Sequence, residues 1–117
     1  MVRIIPSPRI IPAAGTPPKR IEEYVGRIVS GTPEVSIARM VSPPGWSEPY
    51  QTPEFDEYSV VLSGTLQVET DGQVFLVPSE QAVLVPAGSR VRYSTPEGAE
   101  YIAVCHPAFA QELAHRA

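Results

Sequence analysis

The chain has 117 residues, a formal net charge of −4 and a hydrophobic content of 43%, enough for one packed domain rather than a disordered chain. No basic run exceeds Lys19-Arg20, which argues against a nucleic-acid partner or an anionic membrane surface, and no apolar stretch has the length of a membrane span. The single Cys105 has no internal disulfide partner, so the expected compartment is cytoplasmic.

The first twenty residues carry a repeat, Arg3-Ile4-Ile5-Pro6 and then Arg9-Ile10-Ile11-Pro12. Each copy is a short apolar extended piece stopped by proline, which rules out a helix. Residues 1–18 are read as an Ile-rich N-terminal arm. It serves either as an edge strand on its own barrel or as an arm exchanged between two subunits. Arg20 to Val29 is the next strand candidate, stopped by Ser30-Gly31-Thr32-Pro33. From Glu34 to Val41 the pattern alternates, with Val35, Ile37, Arg39 and Val41 on one face and Ser36, Ala38 and Met40 on the other. Arg39 is expected on the rim with its stem covered. Ser42-Pro43-Pro44-Gly45 predicts a turn.

Tyr58 to Leu62 is rich in strand formers and too short for a helix. A turn is predicted at Ser63-Gly64. Thr65–Thr70 and Gln73–Val77 flank Asp71-Gly72, a strong hairpin signal because both turn positions tolerate positive φ. Ala82–Val85 is a short strand ended by Pro86-Ala87-Gly88. Arg90–Ser94 alternates, with Arg90 and Arg92 facing outward to surface partners such as Glu69, Glu80 or Glu97. After a turn at Thr95–Gly98, Ala99–Cys105 is the last strand, with Tyr101, Ala103 and Cys105 opposite Ile102 and Val104. Residues 107–117 form a tail with one short helix, in which Pro107 suits the first position and Phe109 and Leu113 pack on the body. Roughly eight to ten short strands at regular spacing, without a long helix, predict a single all-β domain over 1–117 with its barrel core at 34–106.

Gly45, Glu57 and Gly64 stand at the spacing of the first cupin motif, which reads Gly, five residues, His-x-His, three or four residues, Glu, six residues, Gly. Pro86-Ala87-Gly88 resembles the Pro-x-Gly of the second motif. Together with the strand rhythm, these cover about half the chain. Gln51–Tyr58 and Tyr101–Phe109 are similar to stretches of small single-domain bacterial cupins. The resemblance implies a cupin jelly-roll β-barrel with a ligand pocket in its mouth, often in a homodimer.

The ligand positions of that pattern are mostly replaced. The two histidines of the first motif fall on Gln51 and Pro53, or on Tyr50 and Thr52 with the longer gap. The histidine of the second motif falls on Val91, and its asparagine on Thr95. Only Glu57 matches. Proline and valine have no ligating atom, and a glutamine carbonyl is a weak ligand for a divalent transition metal. His106 and His115 are the only histidines. The expectation is therefore a cupin that requires no metal cofactor. Its alternative is a divalent metal held through Gln51, Glu57 and His106, with dioxygenase or isomerase chemistry.

Glu57, pointing into an apolar barrel as the motif implies, is expected to have a pKa raised by desolvation unless it is paired, the state a general acid or base needs. It is the candidate catalytic residue. Gln51, Tyr50, Tyr93 and Tyr101 are the candidate substrate-binding residues, able to orient a carbonyl or hydroxyl. The expected function is small-molecule binding with metal-independent isomerase or cyclase chemistry. A non-catalytic ligand-binding dimer, with Glu57 bonded only within the protein, is the other reading.

Overall fold

A computed structural model describes all residues, Met1–Ala117. Seven strands and one short helix follow in order: β1 (Arg9–Ile11), β2 (Arg20–Val25), β3 (Ser36–Ser47), β4 (Asp56–Thr70), β5 (Gln73–Pro78), β6 (Ala82–Val85), β7 (Val91–His106) and α1 (Gln111–Ala114). All pairings are antiparallel, in the order β1-β2-β3-β7-β4-β5, with β6 on the other edge of the first half of β4. This is the jelly-roll barrel that the strand rhythm and motifs predict.

Three predicted turns are bends inside long strands. The chain does not reverse at Ser42–Gly45, Ser63-Gly64 or Thr95–Gly98. Instead, β3, β4 and β7 run through these points side by side. Pro44 pairs with Glu97, Trp46 with Thr95, and Gly64 with Ala99. Gly45, Gly64 and Gly98 all have positive φ, and the β4–β7 register shifts on either side of Gly64. Neighbouring strands bent at one level fold a single sheet over on itself, which is how bulges close a barrel. At Gly64 the requirement is strict, since a Cβ would lie 2.2 Å from the carbonyl oxygen of Gly98. The shift also changes which residues of β4 face inward. Ser59 and Val61 are buried before it, Leu66 and Val68 after it.

The hairpin at Asp71-Gly72 forms as expected, with φ of 50° and 72°. In β7 the inward set is Val91, Tyr93, Thr95, Ala99, Tyr101, Ala103 and Cys105, all buried. Arg92 faces out and binds Glu69, while Arg39 faces out and binds Glu22 and Glu100. The main core gathers Trp46, Val61, Leu66, Val68, Val91 and Tyr101.

The second copy of the Arg-Ile-Ile-Pro repeat is the edge strand β1, with Ile11 opposite Ile21 and buried. The first copy joins no strand, although Arg3 donates to the Ser30 carbonyl at 2.9 Å, and Val2 and Ile4 are exposed. In the tail, the helix starts at Gln111 rather than at Pro107. Phe109 precedes it in extended backbone and still packs, with Leu113, on Phe55, Cys105 and Ala114. No helix is long and apolar enough to cross a membrane.

Candidate functional site

Inside the barrel mouth lies a cavity whose space for water-molecule centres is about 40 Å³, room for roughly three waters. The strands supply its walls by alternation. Ser36, Ala38 and Met40 come from β3, Glu57 from β4, and Tyr93, Tyr101, Ala103 and Cys105 from β7. Glu48 follows two residues after Trp46 on the inward face that β3 has kept since Ser36, and it too lines the cavity.

Two long-range backbone bridges bring the chain ends to this place. Thr16 and Ser47 exchange amide hydrogen bonds of 3.0 Å, which carries the loop before β2 across the mouth and delivers Lys19. The Lys19 ammonium lies 4.0 Å from the centroid of the Trp46 ring and donates to the Tyr101 hydroxyl at 3.3 Å. Gln51 exchanges amide bonds with Val91 and forms a second bridge with Arg116, bringing the C-terminal residues to the wall. Gln51 is 5% exposed, and its side-chain carbonyl has no partner within the protein.

The electrostatics centre on Glu57. Its pKa is raised from 4.5 to about 7, first by loss of water and then by the Glu48 carboxylate. Lys19, the Cys105 thiol and Arg116 oppose that rise in part. The thiol donates to Glu57 Oε1 across 3.8 Å. Glu48 is itself raised by desolvation, against the pull of Lys19 and Arg116. Burial pushes the Tyr93 phenol well up, with Glu57 adding to it. Burial pushes the Cys105 thiol far up as well, so this cysteine stays protonated and un-nucleophilic. The Glu57 carboxyl thus has a pKa close to neutral pH inside the cavity.

Of the residues read from the sequence, Glu57, Gln51, Tyr93 and Tyr101 line the cavity together. Tyr50 does not. Its ring lies under the Arg90 guanidinium at 3.9 Å, on the outer side with Arg92 and Glu69, because Arg90 just before β7 and Arg92 within it face outward and the aromatic face attracts them. Glu48, Lys19 and Arg116 are cavity residues that sequence reading missed. Only Glu48 had a local signal, the alternation that continues through Trp46.

The donor set does not fit a transition metal. His106 is exposed, one residue out of phase with inward-facing Cys105, so Gln51, Glu57 and His106 do not converge. At the remaining pattern positions, buried Pro53 and Val91 offer no ligand, and no group of three His, Cys, Asp or Glu residues is arranged to hold an ion. His115 instead pairs with Glu54 on the surface.

Comparison with known proteins gives a consistent picture. The family described as "Ethanolamine utilisation protein EutQ" matches residues 49–112. A Myxococcus xanthus protein named endoribonuclease YbeY is 50% identical over 99 residues, covering 83% of this chain and 34% of that protein. The acetate kinase EutQ of Clostridioides difficile is 35% identical over 57 residues, covering 49% of this chain and 36% of that protein. The chain therefore spans about a third of the length of these curated relatives. Among solved structures, Clostridium difficile EutQ superposes with a TM-score of 0.67 at 25% identity, covering 79% of this chain and 70% of its own. A cupin-like protein of Thermotoga maritima gives 0.73 at 12% identity, covering 95% and 93%, a likeness of fold alone.

Proposed function

Because the chain belongs to the ethanolamine utilisation protein EutQ family and has the cupin barrel, we propose that its cavity binds a small polar molecule and moves a proton on it, with Glu57 as the acid–base group. The observation that carries this reading is the Glu57 carboxyl, held at the cavity wall with a pKa of about 7. A group of that pKa gives up and regains a proton at neutral pH with little driving force wasted in either direction. Tyr93, Tyr101 and Gln51 supply hydrogen bonds that orient a carbonyl or hydroxyl. Lys19 and Arg116 supply positive charge for an anionic end or for an enolate-like intermediate. The cavity dimensions favour a molecule of a few heavy atoms. A small carboxylic acid meets both the size and the charge, in keeping with the acetate in the name of the Clostridioides difficile relative.

The proton path needs no metal. Glu57 in its carboxylate form takes a proton from carbon or oxygen of the bound molecule. Once protonated, it returns that proton at a neighbouring position, which is the minimum for an isomerisation. Glu48, on the same wall, keeps Glu57 basic enough to act. The test is a screen of small hydroxy, oxo and carboxylic acids by ligand-observed NMR, followed by solvent-deuterium exchange into any binder. Wild-type protein exchanges deuterium into the ligand. Glu57→Gln binds and does not exchange. Exchange unchanged in Glu57→Gln refutes the role.

A second copy of the chain is the proposed partner. The outward residues of β4 and β6 form a continuous apolar surface, with Tyr58 opposite Leu84 and Val60 opposite Ala82. Tyr58 is 41% exposed, Val60 44%, Leu62 47% and Leu84 57%. A contiguous apolar patch of this kind on a small protein marks an interface.

A further inference from the structure

The cavity has a larger neighbour. Beside it lies an outer groove with about 250 Å³ of space for water centres, bounded by Pro12, Arg27, Ile28 and the 110–112 segment. Three residues wall both spaces: Ile11, Glu23 and Phe109. They stand between a mostly apolar outer groove and the cavity that holds Glu57, Glu48 and Cys105.

The three are not equally fixed. Ile11 is buried and paired in the β1–β2 ladder. Glu23 is 1% exposed, and its Oε2 accepts the amides of Ile28 and Val29 at 3.0 and 2.8 Å, so moving it leaves two donors unsatisfied. Phe109 is hydrogen-bonded only through its backbone, by its amide to Ser36 Oγ at 2.9 Å, and its ring has the Arg116 guanidinium 5.8 Å from its centroid. Its half-buried ring rests edge-on against Phe55, with centroids 5.8 Å apart. The backbone just before it is pinned, because the Arg27 guanidinium donates to the carbonyls of Ala108 and Pro33. The backbone just after it enters a four-residue helix whose Ala110 start has no side-chain cap. A side-chain rotation of Phe109 therefore breaks no hydrogen bond, whereas moving the Glu23 carboxylate breaks two and the Ile11 side chain is held by its packing on Ile21 and Ala38.

We propose that Phe109 is the gate between the outer groove and the inner cavity, and that its ring sets the size of molecule that reaches Glu57. This rests on the reading of the cavity as a binding site. With the ring in place, the inner space accepts only a few heavy atoms. With the ring turned aside, a longer molecule reaches Glu57 with its small polar head and leaves its apolar remainder in the groove.

Cys105 provides a reporter. It is the only thiol, it lines the inner cavity and it is 4% exposed. Because the buried thiol beside Glu57 is a poor nucleophile, its alkylation by iodoacetamide, followed by intact mass on the full chain, is read as a rate ratio at one alkaline pH between variants that all keep Glu57, so failure of the acid–base reading leaves this test standing. Phe109→Ala is expected to speed alkylation by about tenfold or more, as when a local opening becomes ~1.4 kcal/mol cheaper. Phe109→Trp is expected to slow it. Leu113→Ala loosens the same Phe55–Cys105–Ala114 cluster without lining either space, and is expected to stay near the wild-type rate. A Phe109→Ala rate no faster than wild type overturns the proposal. So does equal acceleration by Leu113→Ala, which would mean loosened packing rather than a gate.

Discussion

Replacing Glu57 with glutamine should stabilise the protein, and only above a certain pH. In the folded chain the carboxyl has a pKa raised from 4.5 to about 7. Between those values the folded state binds a proton that the unfolded state has released, so the native state loses stability as pH rises through this window. A shift of this size corresponds to about 3 kcal/mol, at ~1.36 kcal/mol per unit, and to about 2 kcal/mol if water in the cavity screens the charge. Glutamine keeps the shape and an acceptor for the Cys105 thiol, and carries no charge to desolvate. The difference in unfolding free energy, variant minus wild type, should be near zero at pH 4. It should climb between pH 4.5 and 7 and level off at about 2–3 kcal/mol by pH 8. Urea unfolding of both proteins at constant ionic strength across this range measures it, and groups common to both cancel to first order. A difference that is flat with pH, or a variant less stable than wild type at pH 8, would refute the placement of Glu57 as a desolvated, only partly compensated carboxyl.

The neighbouring carboxylate gives a companion prediction. Because Glu48 raises the Glu57 pKa, Glu48→Gln should lower the midpoint of the Glu57 side-chain carboxyl in a carbon-detected NMR titration, and an unmoved midpoint would mean that the two do not interact. For the outer face, sedimentation equilibrium should give a dimer for wild type and a monomer for the double variant Tyr58→Glu and Leu84→Glu. A dimer that survives both charges would place the contact elsewhere.

The strands of this chain were legible wherever a local pattern decides them. Alternation in β7 sorts Tyr93, Tyr101 and Cys105 from Arg92, Ile102 and Val104, and the structure keeps that sorting. The Asp71-Gly72 hairpin follows from two residues that accept positive φ. Pro43-Pro44-Gly45, Ser63-Gly64 and the Thr95–Gly98 segment carry the same local chemistry as turns, yet the chain does not turn there. What distinguishes a bend from a turn is whether a neighbouring strand continues alongside, and that depends on residues far away in sequence. The error had a functional cost. Ending β3 at Val41 cut off the alternation that leads through Trp46 to Glu48. Lys19 and Arg116 lay beyond any local pattern, since the Thr16–Ser47 and Gln51–Arg116 bridges alone place them at the cavity.

The charges around the motif carboxylate differ from those of the cupin pattern. In the cupin pattern the glutamate shares its site with imidazoles and a divalent ion, and so dense a positive charge keeps a carboxylate ionised. Here the corresponding places hold Gln51, Pro53 and Val91, which contribute no charge, while Glu48 adds a negative one on the same wall. Lys19 and Arg116, arriving from the two ends of the chain, compensate only in part, and the Glu57 pKa rises to about 7. Replacing the imidazoles therefore removes ligands and also the positive charge that would keep the carboxylate ionised. The balance is adjustable from either side, because Glu48 pushes the value up and the two cations pull it down. The proton affinity of this carboxyl thus reflects its burial first, and then Glu48 just past β3 and the two cations of the terminal segments.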